Sequence, residues 1–549
     1  MTAPTPTPTP TPTLTFAELL LRRRHDEHPG LVFEDQSYSW SQIVRASAAR
    51  AAHLRRGSHI GVLLDNVPDY VFWIGAAALA GATVVGINPT RRGEQLAGDI
   101  RHTDVDLIVT EEAHLSALDG LDTQVPADCV VLIEHGAFDE VAVPTTVPAD
   151  HVLLLLFTSG STGAPKAVVC TSSRMGRLAE GAATKYGIER SDVLYQSMPM
   201  FHGNALMSNV SPALAVGATV VLRRKFSASG FLPDVRRHGV TYFNYVGRAL
   251  SYILAIPEGP HDRDNVLRLG FGTEASVRDI DTFTARFGCQ IIENYGSSEG
   301  VISISRVPGT PRGALGLPAP DADVVVVDAE RRECPPATFG AGGALTNPEL
   351  AIGEIVRRGG AAAFEGYYRN EEATAARVQD GWYYSGDLAY RDADGWFWFA
   401  GRNADWLRVD SENFAAGPVE AILSRYPQTR LAAVYAVPDA RTGDQVMAAL
   451  EVSGAFDPED FAEFLRAQPD LGTKWAPRYL RLIEAMPVTG TNKVDKKPLR
   501  RERWDARDVW SRPDRDLHYR PFTDADRGAL EAMFAEHGRT AVFSTAGSS

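Results

Sequence analysis

Seven short apolar runs recur between amphipathic stretches from His59 to Asn294: "HIGVLLDN", "TVVGIN", "VDLIVT", "CVVLIE", "ATVVLRR", "VTYFNYV" and "CQIIEN". Each is too brief for an ordinary helix and rich in Val, Ile or aromatic residues, so each reads as a strand buried on both faces. Strands separated by helical patterns return by crossovers rather than hairpins, and this makes stacked, largely parallel α/β layers the expected fold class. Upstream, "TFAELLLRRRHDEHPG" reads as a helix with Thr15 as N-cap and Gly30 past its end, and "SWSQIVRASAARAAHLRRG" repeats the form. The Thr/Pro alternation of residues 1–14 cannot pack and reads as a disordered, extended leader.

The pattern changes after about residue 350, where "GEIVRRGG" and "GWYYSGDLAYRDADGWFWFAGR" read as hairpins of a small β-rich region, with "DADG" as a turn. From "NFAAGPVEAILSRYP" onward the order is helix, strand "LAAVYAVPD", strand "QVMAALEV", helix "PEDFAEFLRAQP" and strand "RYLRLIEAMP". That is a compact α+β lid. The expected organisation is an N-terminal domain over 15–402, a hinge at 403–405 within "GRNAD", a smaller mobile lid over 406–510 and an extension over 511–549.

Composition narrows the function. A chain of 549 residues with 44% hydrophobic and 23% charged residues is an ordinary multidomain globular protein. Its net charge of -14 disfavours nucleic acid and anionic membrane as partners, since both need a basic face. Cys129, Cys170, Cys289 and Cys334 are far apart, with no C-x-x-C pair or zinc spacing, which fits a reduced cytoplasm. No apolar run is long enough for a membrane span, and the N-terminus has neither the basic start nor the apolar core of a signal peptide.

The strand "VLLLL" feeds directly into "FTSGSTGAPK", Phe157 to Lys166. Small hydroxyl residues and glycines there offer backbone N–H groups and side-chain donors with little bulk, the chemistry that cradles phosphate oxygens, and Lys166 adds a point charge. It is no Walker loop, because Lys166 follows Pro165 and precedes Ala167. Without further context a Ser/Gly loop is a flexible turn. A rival, "GFGTEA" at Gly270 to Ala275 with Glu293 ending the next strand, fits a dinucleotide fingerprint on paper, but is weak so deep in the chain.

Taken together the motifs resemble the adenylate-forming superfamily of acyl-CoA synthetases, luciferases and peptide-synthetase adenylation domains. "FTSGSTGAPKAV", "MPMFHGNA", "FGTEA", "NYGSSEG", "YYSGDLAY", "GRNADWLRVDSEN" and "PVTGTNKVDKKPL" occur in that family's order across roughly residues 15 to 510. The tail "VWSRPDRDLHYRPFTDADRGALEAMF" and "LRRKFSAS" resemble the very-long-chain fatty-acyl-CoA synthetase branch.

The resemblance implies ATP and Mg²⁺ as cofactors, CoA as the acceptor of acyl-CoA synthetases, and a small organic acid as substrate. It implies that Thr158, Ser159, Gly160, Ser161, Thr162, Gly163 and Lys166 bind the ATP phosphates. Gly272, Thr273, Glu274, Asn294, Tyr295 and Gly296 would hold adenine and ribose, with Tyr295 stacking on the base. Ser298 would contact the α-phosphate, its hydroxyl replacing a commoner Thr, and Glu299 would hold Mg²⁺, a hard cation that prefers carboxylate oxygen. Asp387 would accept the ribose hydroxyls, Arg402 would lie near ribose and phosphate, and His202 would border the acid's carboxylate. Lys493 would bridge the attacking oxygen and the α-phosphate, though Lys496 and Lys497 beside it also fit a solvated basic run. Asp405 would be the hinge of a turning lid.

One position departs from the pattern. CoA ligases resembling this chain usually carry Gly where "VDSEN" has Ser411, before Glu412 and Asn413 in the acceptor channel, and a side chain there takes up space beside the pantetheine arm. Three functions therefore stay open: a fatty- or aryl-acid CoA ligase; a diazotase of a natural-product pathway that adenylates nitrite and passes it to an aromatic amine; and a non-catalytic nucleotide-binding scaffold. Oligomeric state and the identity of the acid are not legible.

Overall fold

The computed structural model describes the chain except residues 1–13, 134–140, 142, 145–146, 159–165, 248, 274, 276, 341–344, 403–405, 410–411, 441–443, 469–470, 473, 490–492, 513–515, 538, 541–542 and 544–549. Two compact units emerge. The first comprises Met1–Glu293, Ser297–Gly300 and Ala362–Ala376; the second comprises Asn294–Gly296, Val301–Ala361 and Arg377–Ser549. The leader at 1–13 lies outside the described residues.

In the first unit a six-stranded sheet runs, in neighbour order, Val130–Leu132, Leu107–Thr110, His59–Leu63, Thr83–Gly86, Val152–Phe157 and Ala167–Thr171. Every pair is parallel except the last. A second sheet orders Gln290–Gly296 through Glu293, Leu269–Thr273, Tyr242–Val246, Val193–Gln196, Thr219–Leu222, Pro29–Phe33 and Gln36–Ser39, parallel except for the final hairpin. All seven apolar runs are strands, as their pattern requires, and helices such as Pro68–Ala80 and Ala228–His238 fill the crossovers. The intervening core is aromatic as well as aliphatic: Trp40, Trp73, Tyr70, Tyr195 and Tyr242 are buried almost completely.

The first helix ends earlier than its sequence suggests. Thr15 does cap it, in a reciprocal box with Glu18, but the helix covers only Phe16–Arg22, and Pro29–Phe33 is already a strand. Arg23 turns aside to donate to the Leu214 and Ala215 carbonyls, and Asp26 receives Arg23 and Arg190, so tertiary partners take the polar "RRRHDE" run out of the helix. Gly30 is no helix stop. A Cβ there would lie 2.6 Å from the Trp40 indole, and glycine lets the strand pass against that ring.

In the second unit the strands Val324–Val327, Gly353–Arg357, Val378–Gln379, Trp382–Arg391 and Phe397–Arg402 form an antiparallel sheet. "DADG" makes its expected turn, with the Gly395 N–H on the Asp392 carbonyl at 3.1 Å. The C-terminal part is a mixed sheet of Thr429–Pro438, Asp444–Val452, Tyr479–Leu482, Val509–Ser511 and Arg520–Pro521. Helices Ala416–Leu423 and Pro458–Arg466 contribute to a core that includes Tyr426, Phe461 and Trp475, while Asp524–Glu536 places Leu530 and Phe534 in a second core with Trp504. No helix among the described residues is long and apolar enough to cross a membrane, and the four cysteines are free thiols.

Candidate active site

Strands Val152–Phe157 and Ala167–Thr171 are antiparallel partners, with Phe157 opposite Ala167. The Thr158 N–H donates to the Lys166 carbonyl at 3.0 Å and closes the base of the connecting loop. Ser159, Gly160, Ser161, Thr162 and Gly163 lie outside the described residues. The connection returns as a strand rather than opening a helix, so any anion held here relies on loop donors and Lys166 without a helix dipole at its mouth. The Lys166 ammonium lies 6.0 Å from the centroid of the Tyr367 ring, at the outer edge of a cation–π contact.

Tyr367 joins Lys166 to Glu299. Its hydroxyl donates to Glu299 Oε1 at 2.6 Å, and both side chains are buried. The tyrosine reaches this place because "EGYY" lies along Ala167–Thr171: the Val169 N–H donates to the Gly366 carbonyl, and Tyr367 bridges Val168. Arg174, buried on the next helix, fixes the turn that carries Ser298 and Glu299. Its guanidinium donates to the Ser298 carbonyl and, at 3.0 Å, to the Val169 carbonyl, and stands 3.6 Å from the Glu365 carboxylate. Glu365 in turn accepts from the Thr171 N–H and hydroxyl. Gly300 completes the turn at φ 66°, where a Cβ would lie 2.5 Å from Arg174 Nη2. Arg174, Glu365 and Tyr367 were not among the sequence candidates. The acidic-aromatic "FEGYY" carried no motif, and only the strand bridge brings it to Glu299.

His202 precedes the helical turn Gly203–Ala205, its ring 4.6 Å from that of Phe201. The next residue, Gly203, comes near Ser298: a Cβ there would be 3.3 Å from the serine hydroxyl. Gly272 and Thr273 belong to strand Leu269–Thr273 rather than to a turn. Gly270 and Gly272 are glycine because the rings of Phe243 and Tyr245 lie 2.5 Å from where a Cβ would stand. The Glu293 carboxylate accepts from the Tyr245 hydroxyl at 3.1 Å and from the Ala275 N–H at 2.6 Å, so it holds the end of that strand. Packing and hydrogen bonding account for these glycines and this acid without a dinucleotide. Glu274 lies outside the described residues.

Within the second unit the Tyr295 hydroxyl donates to Asp387 Oδ2 at 2.7 Å. Burial, reinforced by the Asp387 charge, holds the phenol well above its ordinary pKa and keeps it a donor. Asp387 follows a shaped turn: its N–H donates to Ser385 Oγ at 3.1 Å, and the Gly386 N–H to Glu354 Oε1 at 2.6 Å. Arg402 ends the neighbouring strand opposite Asp387 in register, while its side chain lies outside the description. Asn294 and Gly296 flank Tyr295, pairing with Ser305 and Ser303. Lys493 sits on the return of a small bridge between Val488 and Val494, its carbonyl accepting from the Thr489 N–H at 2.7 Å. Lys496 is not part of a solvated basic run, since its ammonium is 2.8 Å from Glu420. Asp405 and Ser411 lie outside the described residues; Glu412 and Asn413 begin the strand Glu412–Ala415.

This α/β architecture and these motif residues define an adenylate-forming enzyme. The AMP-binding enzyme family model matches residues 21–368, and that for the AMP-binding enzyme C-terminal domain matches 418–493. The chain belongs to the AMP-binding enzyme family, with a large N-terminal and a smaller C-terminal domain, and is an ATP-dependent, AMP-forming ligase of the acyl-CoA synthetase-like branch. It is 50% identical over 544 residues to the steroid-22-oyl-CoA synthetase of Rhodococcus jostii (strain RHA1), covering 96% of this chain and 98% of the relative. It is 43% identical over 508 residues to the medium/long-chain-fatty-acid–CoA ligase FadD17 of Mycobacterium marinum (strain ATCC BAA-535 / M), covering 90% and 98%. The fold is that of the anthranilate CoA ligase AuaEII in complex with anthranoyl-AMP, at a TM-score of 0.77 and 21% identity over 89% of this chain and 97% of that one. These relatives overturn the scaffold reading and do not favour the diazotase.

Proposed function

We propose that the protein forms CoA thioesters of steroid acids whose carboxyl carbon is C22. The carrying observation is the 50% identity, over nearly the whole of both chains, to a steroid-22-oyl-CoA synthetase. Medium- and long-chain fatty acids are the second reading, supported by the 43% identity to FadD17.

In the reaction proposed here the acid's carboxylate attacks the α-phosphorus of ATP, pyrophosphate leaves, and the CoA thiol then displaces AMP from the acyl carbon. Both ends of the transferring group carry negative charge, so the first step needs cations and fixed donors more than covalent chemistry. Thr158 and Lys166, with the loop between them, would hold the leaving phosphates, and Ser298 the α-phosphate. Asp387 would take the ribose hydroxyls, with Tyr295 fixing one of its oxygens and turning its ring to the adenine. Lys493 would approach the attacking oxygen once the lid at 406–510 turns about the hinge at 403–405.

Glu299 fits a Mg²⁺ site on this structure's own terms. It is a buried acidic side chain with one oxygen held by the Tyr367 hydroxyl, which leaves the carboxyl group to face a cation through the other. Bound there, Mg²⁺ would supply charge neutralisation between the phosphates. CoA as acceptor rests on the relatives; the narrowing attributed to Ser411 concerns a residue outside the description.

The test is product analysis. Purified protein with ATP, Mg²⁺ and CoA is given a C22 steroid acid, a medium-chain and a long-chain fatty acid, or benzoate, and thioester, AMP and pyrophosphate are quantified. The steroid acid should give the highest kcat/KM. Thioester from fatty acids alone would replace the first reading with the second, and no AMP from any acid would refute both.

A further inference from the structure

Beside His202 the first unit holds a chain of asparagine side chains whose polarity is fixed. Asn209 Nδ2 donates to the Tyr195 carbonyl at 3.0 Å and to Asn244 Oδ1 at 2.8 Å, and Asn244 Nδ2 donates to Asn204 Oδ1 at 2.7 Å. A main-chain carbonyl can only accept, so the atom of Asn209 facing Tyr195 is nitrogen. Each following amide is thereby oriented in turn, and Asn204 is left with its Nδ2 directed away from the chain.

The arrangement is costly for a core. Asn209 and Asn244 are 0% and 1% exposed, and Asn209 Oδ1 has no partner among the described residues. A buried acceptor left without a partner keeps its full desolvation cost, which the satisfied bonds of the chain do not remove. Asn209 lies in a π-helical segment, Leu206–Val210, and that local widening turns its amide toward strand Tyr242–Val246. The strand's neighbouring aromatics do not compete for the role. Tyr242 is buried and donates to the Ser208 carbonyl at 2.7 Å, and Tyr245 is held by Glu293. Asn204, half-buried, is the end of the chain that meets solvent, and it follows Gly203, the residue that comes close to Ser298.

We infer that Asn204 Nδ2–H donates to the carboxylate of the organic acid, with Asn244 and Asn209 as positioning residues that prevent its amide from turning over. The inference rests on the adenylation reading above, in which Ser298 meets the α-phosphate and the attacking carboxylate must come beside it. A fixed donor suits an acceptor-only anion, and the same amide reversed would repel it.

The experiment measures KM for the acid and for ATP in pyrophosphate release by Asn204→Ala, Asn204→Asp and Asn244→Asp, with melting temperature as a check on folding. Asn204→Asp sets a carboxylate against a carboxylate and should raise KM for the acid about 10- to 100-fold, leaving that for ATP within about twofold. Asn204→Ala should raise it about tenfold. Asn244→Asp accepts from both neighbours, so Asn204 must reverse and present oxygen; KM for the acid should rise as in Asn204→Asp although position 204 is unchanged. A merely structural chain would lower the melting temperature or kcat and leave the KM ratio alone. An unchanged acid KM in both Asn204 variants, with the unaltered enzyme active, overturns the inference by itself. Failure of the unaltered enzyme to adenylate any acid overturns the underlying reading instead. Should Asn244→Asp not fold, the two Asn204 variants decide.

Discussion

Alanine at Gly300 meets two obstacles that can be separated. The backbone φ of 66° is in the left-handed region, which costs a residue with a Cβ ~1 kcal/mol. The new Cβ also falls 2.5 Å from Arg174 Nη2, so the guanidinium must leave its place and release the Ser298 carbonyl, worth ~1.5 kcal/mol. If the turn carries the reacting groups, the sum of ~2.5 kcal/mol slows adenylation roughly 50-fold. With Arg174→Ala already in place the collision is gone, and only the backbone cost, roughly fivefold, remains. The coupling between the two positions is therefore about tenfold. Pyrophosphate release by the four proteins of this cycle, measured as kcat/KM for ATP with the acid saturating, reads it directly. Equal effects of Gly300→Ala in both backgrounds, within about twofold, would refute the assignment of Arg174 as the residue that sets the turn.

Tyr367→Phe removes the donor to Glu299 and should raise the Mg²⁺ concentration for half-maximal pyrophosphate release about tenfold, with the protein still folded; an unchanged Mg²⁺ titration would separate this phenol from the metal. Asp99, fully buried in helix Gly93–His102, has its pKa raised to about 6 by burial, which the Arg91 guanidinium at 2.9 Å only partly opposes. A carboxyl that holds its proton more tightly folded than unfolded loses stability as pH rises, here between about pH 4 and about pH 6, and no further above that. Melting temperatures of the unaltered protein relative to Asp99→Asn should fall across that window, and a constant gap would contradict the shift. Gly30→Ala should destabilise the first unit by about 1–3 kcal/mol by pressing on Trp40, without altering KM for ATP; a neutral melting temperature would show that the indole yields.

The strands were legible because their apolar runs are short and the patterns between them helical, and that rule depends on nothing distant. The first helix was overread because its end is set by Arg23 and Asp26 reaching residues far along the chain, which local periodicity does not record. The same distinction divides the site. Lys166, Glu299, Asp387 and Lys493 stand in short motifs whose order is written in the sequence. Arg174, Glu365 and Tyr367 matter through a strand bridge between positions 168 and 367, and the amide chain through one main-chain carbonyl. "GFGTEA" was rightly discounted as a dinucleotide fingerprint: two aromatic rings on the adjacent strand already require glycine at Gly270 and Gly272.

Because Ala362–Ala376 returns to the first unit, that unit is discontinuous in the chain, and translation imposes an order on its assembly. Both sheets up to Glu293 can form while the ribosome is still adding residues, yet the partners of Arg174 and Glu299 emerge only when Glu365 and Tyr367 do. The turn of Ser298 to Gly300 is thus braced only after more than sixty further residues, up to Glu365, have left the exit tunnel. A nascent chain stalled short of that point owns folded sheets while the turn at Ser298 and Glu299 still lacks Glu365 and Tyr367.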